Sequence, residues 1–290
     1  MGIAVSGGAD SLALLLLAHV ARPGEIEAAT VDHGLRTAAR DEAEFVAKVC
    51  ADLGVPHAIL TVQVPSGNLQ SEARQVRYAA LAQWMEQRGL NLLASAHHAD
   101  DQAETLLMRL MRGSGLAGLT GVRASGNVPG ADLRLIRPLL GWRKQELEQL
   151  VEETGIEAVA DPSNVDDRFD RARLRKQLAG ADWIDPLAIS QSASHLADAE
   201  EALQWAADAE WESYVRSGPE GTLHYRPHAP RAIQFAVLAR AISELGGEPR
   251  GGAVSELLKA LETGKGGNLA GVLARPVSGE WVLRREPPRR

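Results

Sequence analysis

The sequence predicts an α/β fold in its first part: a mostly parallel sheet with helices on both faces. A smaller, mainly helical C-terminal domain follows, ending in a β-hairpin. Three observations predict this. Short apolar segments alternate with longer helical patterns from Gly2 to Arg112. A glycine-rich turn joins the first such segment to the first helix. Near Asp182-Trp183-Ile184-Asp185-Pro186 the alternation gives way to sustained helical spacing.

The elements follow in order. Gly2–Val5 is a short strand and Asp10–Val20 a helix. Ile26–Val31 is a strand, and Ala39–Leu53 a helix ended near Gly54. His57–Val62 is a strand, Ser71–Arg88 a helix, and Leu90–Ser95 a strand. Asp100–Arg112 is a helix closed by Gly113, with Leu106, Leu107 and Leu110 expected against the sheet. Such βαβ units bind ligands at the carboxyl ends of their strands, here after Val5, Val31 and Ser95. Beyond the junction, Ile189–Val215 has helical spacing through Ile189, Ala193, Leu196, Leu203, Ala207, Trp211 and Tyr214. Further helices cover Arg231–Leu245 and Val254–Leu261. Asn268–Val277 and Glu280–Arg284 pair as a hairpin around Ser278-Gly279. The expected domains are therefore residues 1–184 and 185–290.

Composition narrows the class. The 290 residues are 45% hydrophobic but only 4% aromatic, so the core must be built from Leu, Val, Ile and Ala. No apolar run reaches the ~18 residues that span a bilayer, and no signal-peptide pattern opens the chain. Cys50 is the only cysteine, which excludes an internal disulfide or a cysteine metal cage and suits a reducing, cytoplasmic setting. The formal charge of −7 means that any contact with RNA must rely on local basic patches.

Ser6-Gly7-Gly8-Ala9-Asp10-Ser11 lies between the first strand and the first helix. Two glycines permit a sharp turn and close approach to a ligand. The helix start offers unpaired N–H groups and a positive dipole end. Ser6 and Ser11 add hydroxyls, and Asp10 suits a Mg²⁺ ion held between phosphates. The hexapeptide is also compatible with an ordinary strand-to-helix turn in which Ser6 or Asp10 caps the helix. It has neither the lysine of a Walker loop nor the spacing of a dinucleotide fingerprint.

Other segments add to it: Val31-Asp32-His33-Gly34-Leu35-Arg36, Asn68-Leu69-Gln70, and Ala73-Arg74-Gln75-Val76-Arg77-Tyr78. Ala96-His97-His98-Ala99-Asp100-Asp101-Gln102-Ala103-Glu104-Thr105 follows, then Arg112-Gly113-Ser114-Gly115, Arg137-Pro138-Leu139-Leu140 and Asp161-Pro162-Ser163-Asn164. The hexapeptide resembles the signature of the PP-loop ATP pyrophosphatases, which implies a PP-loop ATPase type of sheet. In this order the whole set resembles the tRNA(Ile)-lysidine synthetase family over roughly residues 2–180. That resemblance implies ATP and Mg²⁺ as cofactors, and free L-lysine and a tRNA(Ile) with a CAU anticodon as substrates. It implies that ATP adenylates O2 of one anticodon cytidine and that the lysine ε-amine then displaces AMP. No membrane partner is expected, and a homodimer is compatible with the reading.

Position and chemistry suggest roles. Ser6, Gly7, Gly8, Ala9, Asp10 and Ser11 hold ATP, with Val31 offering backbone to adenine and Arg36 charge to phosphate. Asp10 is the metal ligand. Asp10, Arg77, His97, Asp101 and Glu104 are the candidate catalytic set. His97, Asp101 and Glu104 are spaced i, i+4 and i+7, which on a helix puts them on one face. Such a cluster needs a cation, met by Mg²⁺ or a lysine ammonium. A free lysine amine has a pKa of about 10.4, so deprotonating it at pH 7 costs roughly 4–5 kcal/mol, and a nearby proton acceptor is expected. The competing reading is a solvated acidic helix start. Arg77 and Arg36 could equally form surface salt bridges, and His33 could be structural.

Arg168, Arg171, Arg173 and Arg175 make a dense basic stretch, read as tRNA-binding or else as a helix face paired with Asp166, Asp167 and Asp170. Ala172 stands where the family usually has asparagine. Other PP-loop chemistries fit less well. A tRNA thiolase needs paired cysteines, and an amidating synthetase needs an ammonia source. A non-catalytic ATP-binding regulator has no use for His97, Asp101 and Glu104.

Overall fold

In a computed structural model of the chain, residues 1–34, 37–63, 69–159, 170–181 and 183–286 are described. Two compact units result: residues 1–112 with 120–194, and residues 113–119 with 195–290.

The first unit runs β1 (Gly2–Ala4), α1 (Ala9–Ala21), β2 (Glu27–Asp32), α2 (Thr37–Asp52), β3 (His57–Thr61) and α3 (Leu69–Arg88). It continues with β4 (Leu92–Ala94) and α4 (Ala99–Met111). After the short helix α5 (Leu116–Leu119), which groups with the second unit, come β5 (Ser125–Asn127), β6 (Arg134–Ile136), α6 (Lys144–Glu153) and α7 (Asp170–Ala179). The six strands are ordered β3-β2-β1-β4-β6-β5. All neighbours are parallel except the edge pair β5–β6.

Strand alternation builds a core on each face of this sheet. Ile3, Ala28 and Ala94 point to one side, where Leu12 and Leu15 of α1, Val46 and Cys50 of α2, and Leu147 and Val151 of α6 cover them. Ala4, Ala29 and Leu93 point to the other, against Tyr78, Leu81 and Met85 of α3. Each fully buried Leu, Ile or Met contributes roughly 1.5–3 kcal/mol, so these two layers fix the sheet and hence its carboxyl edge.

The second unit holds most of α8 (Pro186–Tyr214), then β7 (Val215–Ser217), a short 3₁₀ turn and β8 (Leu223–Tyr225). It continues with α9 (Arg231–Glu244), α10 (Gly251–Glu262), β9 (Gly267–Leu269), β10 (Val272–Val277) and β11 (Glu280–Arg285). The expected terminal hairpin is β10–β11, with Val277 paired to Glu280. Ser278 and Gly279 both have positive φ, 51° and 85°, as a type I′ turn requires. The hairpin belongs to a larger antiparallel sheet ordered β7-β8-β11-β10-β9. The segment read as one strand from Asn268 to Val277 is folded once more, at Ala270-Gly271 (φ 50° and 77°), so that Leu269 pairs with Val272. Alanine is an unusual occupant of that turn, which hid it. Val237, Leu238 and Ile242 of α9 and Leu257, Leu258 and Leu261 of α10 pack on Val272, Ala274, Trp281 and Leu283. Glu210 is buried among them, accepting hydrogen bonds from Tyr225 Oη (2.9 Å) and from the N–H groups of His228 (2.9 Å) and Ala229 (3.0 Å).

Candidate active site

The strand order reverses at β1: the chain steps outward to β2 and β3, then returns to place β4 on the other side of β1. The crevice beyond the carboxyl ends of β1 and β4 is therefore the topological switch point, where open α/β sheets bind ligands. The loop after β1 carries Ser6 to Asp10, and the loop after β4 carries Ser95 to His98.

The first loop is held in shape by its own residues. Gly7 has φ +87°, and a Cβ there would press on Val46 and Val159 at 3.4 Å. Its carbonyl accepts a hydrogen bond from Val159 N–H (2.9 Å). Ser11 Oγ accepts from Ser6 N–H (3.1 Å) and donates to the Gly8 carbonyl (2.9 Å), while the two hydroxyls lie 3.2 Å apart. Gly8 is the cap of α1 and has no side chain to satisfy the first N–H groups; that of Ser11 reaches the Gly8 carbonyl (3.1 Å), and a helix start without a side-chain cap suits an anion. Asp10 stands in that first turn, and its Oδ1 is buried without a hydrogen-bond partner. An orphaned carboxylate oxygen beside a phosphate cradle fits Mg²⁺, which takes one or two carboxylates and fills its shell with phosphate and water.

His98 links the two loops. It is 2% exposed, with Nε2 lying 3.5 Å from Asp10 Oδ2 and 3.5 Å from Asp101 Oδ2, and Nδ1 3.6 Å from Asp100 Oδ2. Burial by itself pushes this imidazole down, but the hydrogen bonds with Asp10 and Asp100 and the charge of Asp101 outweigh it, raising the pKa to about 10. His98 is also the cap of α4: its N–H donates to Asp101 Oδ2 (3.3 Å), while Nδ1, 3.4 Å from the Asp101 nitrogen, carries a proton in the imidazolium and faces the Asp100 carboxylate instead. Asp100 is held well below the carboxylate range. Burial opposes this, but His98, the Lys144 N–H (2.8 Å) and the Arg143 guanidinium prevail. The spacing argument singles out His97 rather than His98. The signal for His98 was its position, one residue before a helix that opens Ala-Asp-Asp.

His97 corrects the helical spacing assumed for it. It precedes α4, so it does not share a helix face with Asp101 and Glu104. Its Nδ1 lies 3.1 Å from Ser95 Oγ. Burial, against the pull of Asp101, and the charges of Arg137, Arg74 and Arg77 lower its pKa to about 4, leaving a neutral imidazole at pH 7. Arg77 lies over the ring of buried Tyr78 at 5.2 Å, and Arg74 at 5.0 Å. His33, after β2, is likewise pushed down by burial and by Arg77. Val31 lies near the end of β2, whose pairing with β1 stops at Ala29. Asp32 is buried and accepts the Gly34 N–H (2.8 Å).

Asp101 and Glu104 do lie together on α4, and α7 supplies their cations. Arg171 donates from Nε to Glu104 Oε2 (2.6 Å) and from Nη2 to Asp101 Oδ1 (2.8 Å). Arg175 donates from Nε to Glu104 Oε1 (2.6 Å) and from Nη2 to Glu104 Oε2 (3.1 Å). Glu104 is 2% exposed. This corrects the expectation that the leucines of α4 face the sheet. The buried face is Ala99, Gln102, Ala103 and Glu104, and Leu110 is 54% exposed. Arg173 is exposed, and Ala172 is buried in α7. Arg36 and Arg168 lie outside the described residues.

Known proteins with similar features can be set beside this geometry. Residues 1–181 match the family described as PP-loop domain. The chain is 45% identical to the tRNA(Ile)-lysidine synthase of Novosphingobium aromaticivorans, over 99% of this chain and 89% of that protein. It is 42% identical to the tRNA(Ile)-lysidine synthase of Zymomonas mobilis, over 100% and 89% respectively. Among solved structures, the U34-tRNA thiolase NcsA from Methanococcus maripaludis with its [4Fe-4S] cluster aligns with a TM-score of 0.55 and 19% identity, covering 67% of this chain and 70% of that one. At that identity the likeness concerns the fold alone. The chain belongs to the tRNA(Ile)-lysidine synthase family of PP-loop proteins.

Proposed function

We propose that this protein is an ATP-dependent ligase that joins the ε-amine of free L-lysine to C2 of the wobble cytidine in a tRNA(Ile) with a CAU anticodon. The observation that carries the reading is the junction of the β1 phosphate loop with the Asp101–Glu104 carboxylate pair through one buried histidine, His98.

The reaction divides into two steps. Cytidine O2 attacks the α-phosphorus of ATP and pyrophosphate leaves. The amine then attacks C2, the C2–O2 bond breaks, and AMP leaves with that oxygen. The loop of Ser6 to Ser11 would bind the phosphates, with Arg77 stabilising charge that builds on the α-phosphate. Mg²⁺ on Asp10 would supply further charge neutralisation when bound. His98, as an imidazolium, would hold the Asp10 carboxylate toward the phosphate loop. Neutral His97 would contact the base or a phosphate. Asp101 and Glu104 would receive the lysine ammonium and accept its proton as it attacks. Residues 1–184 would carry this chemistry, and residues 185–290, with Arg168 and Arg173, would engage the tRNA. Cys50 offers no thiolase route: it is the only cysteine, it is fully buried, and burial pushes its thiol up to about 11.

The test is nucleoside analysis of the tRNA after incubation with ATP, Mg²⁺ and L-lysine. A cytidine bearing lysine through C2 at the wobble position is expected. Unmodified cytidine, or a sulfur-bearing base, would overturn the reading.

A further inference from the structure

The carboxylates assigned to the amine are already occupied. Asp101 Oδ1 accepts from Arg171, and Oδ2 accepts from the His98 backbone. Glu104 Oε1 accepts from Arg175, and Oε2 from both arginines. All four oxygens are engaged, and the two negative charges are balanced by two guanidiniums. A third cation entering between Asp101 and Glu104 would find both carboxylate charges already compensated. Yet Glu104 is buried, and a buried carboxylate must keep a cation. The guanidiniums can therefore leave only if another cation takes their place.

We propose, resting on the function above, that Arg171 and Arg175 are an internal competitor for the lysine ammonium. α7 closes the amine subsite until tRNA draws the two guanidiniums away. A polyanion is the partner suited to do so. Guanidinium groups bind phosphate oxygens through paired hydrogen bonds much as they bind carboxylates. The arginine side chains remain 43% and 29% exposed, so a phosphodiester can reach them from solvent. The site thereby admits the nucleophile after the base to be modified has arrived. By linkage, tRNA and lysine then bind with positive coupling.

The experiment is equilibrium binding of L-lysine to the full chain without ATP, with and without a CAU-anticodon tRNA(Ile) transcript. Wild-type protein should bind lysine about tenfold more tightly with the transcript, within the usual range of coupling. The double variant Arg171→Met/Arg175→Met should bind lysine without RNA as tightly as wild type binds it with RNA, and the transcript should add little. Arg175→Met alone should be intermediate, and it serves if the double variant does not fold. In the single variant, lysine should raise the melting temperature more than in wild type, because it now neutralises Glu104. Equal lysine affinity with and without RNA in wild type would overturn the proposal. So would loss of lysine binding in folded variants, since the arginines would then be walls of the pocket. Lysidine formed by wild type with uncoupled binding sinks the competition and leaves the ligase reading intact. Tight binding of a different amino acid in place of lysine sinks both.

Discussion

At the scale of single residues, His98 decides how the site is wired. Its folded pKa of about 10 lies above the unfolded value of 6.5, so the folded state binds its proton more tightly. The resulting stability is fully present below pH 6.5 and is lost as pH rises through 10. His98→Asn keeps a competent helix cap but cannot be charged. The difference in urea midpoint between wild type and variant should therefore shrink steadily from pH 6.5 to 10. A difference that stays constant over that window would remove the charged role of His98. Asp10→Ala should lower AMP formation by roughly a hundredfold or more, since it removes charge stabilisation at the phosphates. Because Asp10 also partners His98, the variant's circular dichroism must match wild type for that loss to be read as chemistry. The residue types of this site were legible in the sequence: the loop serines and glycines, Asp10, Asp101 and Glu104 all stand in the segments quoted from it. Their pairing was not. Nothing in the spacing of Arg171 and Arg175 tells that they reach back to Glu104, 67 and 71 residues earlier.

At the scale of elements, α4 illustrates where periodicity misleads. Its leucines suggested a sheet-facing stripe, but its polar face is the buried one, because charge partners from the α1 loop and α7 satisfy it. Gln102 belongs to that face and binds structure only. Its Oε1 accepts the Val122 N–H (2.6 Å), and its Nε2 donates to the carbonyls of Val122 (3.0 Å) and Thr120 (3.4 Å). Gln102→Ala should leave buried backbone groups of that loop unpaired and cost about 2 kcal/mol, measured by urea unfolding. A neutral result would show that the loop re-forms its bonds without the side chain. Strands β1 to β4 and their helices were readable because each strand is a compact apolar run between turn signals. β5 was not: Ser125-Gly126-Asn127 has no β-forming residue and owes its strand to the edge of β6. α6 did carry a readable signal in Leu147 and Val151, one turn apart on its buried side.

At the scale of the whole molecule, each unit has its own core, one a parallel sheet covered on both faces and the other an antiparallel sheet carrying α9 and α10. The parallel sheet could be foreseen because its crossovers repeat one pattern. The antiparallel sheet could be foreseen only at its last hairpin, since three-residue strands such as β7 and β8 carry too few side chains to show alternation. No described helix is long and apolar enough to cross a membrane. The net charge of −7 makes RNA engagement a matter of local arginines, several of which already hold carboxylates within the chain. On the proposed function, the phosphate loop and the carboxylate pair act in one reaction on one tRNA. This joint action is tested most directly by AMP release from labelled ATP, with CAU-anticodon tRNA(Ile) and each amino acid supplied singly. AMP that depends on that tRNA, with lysine alone transferred to it, is the predicted result. AMP formed without the tRNA, or transfer of a different amino acid, would contradict it.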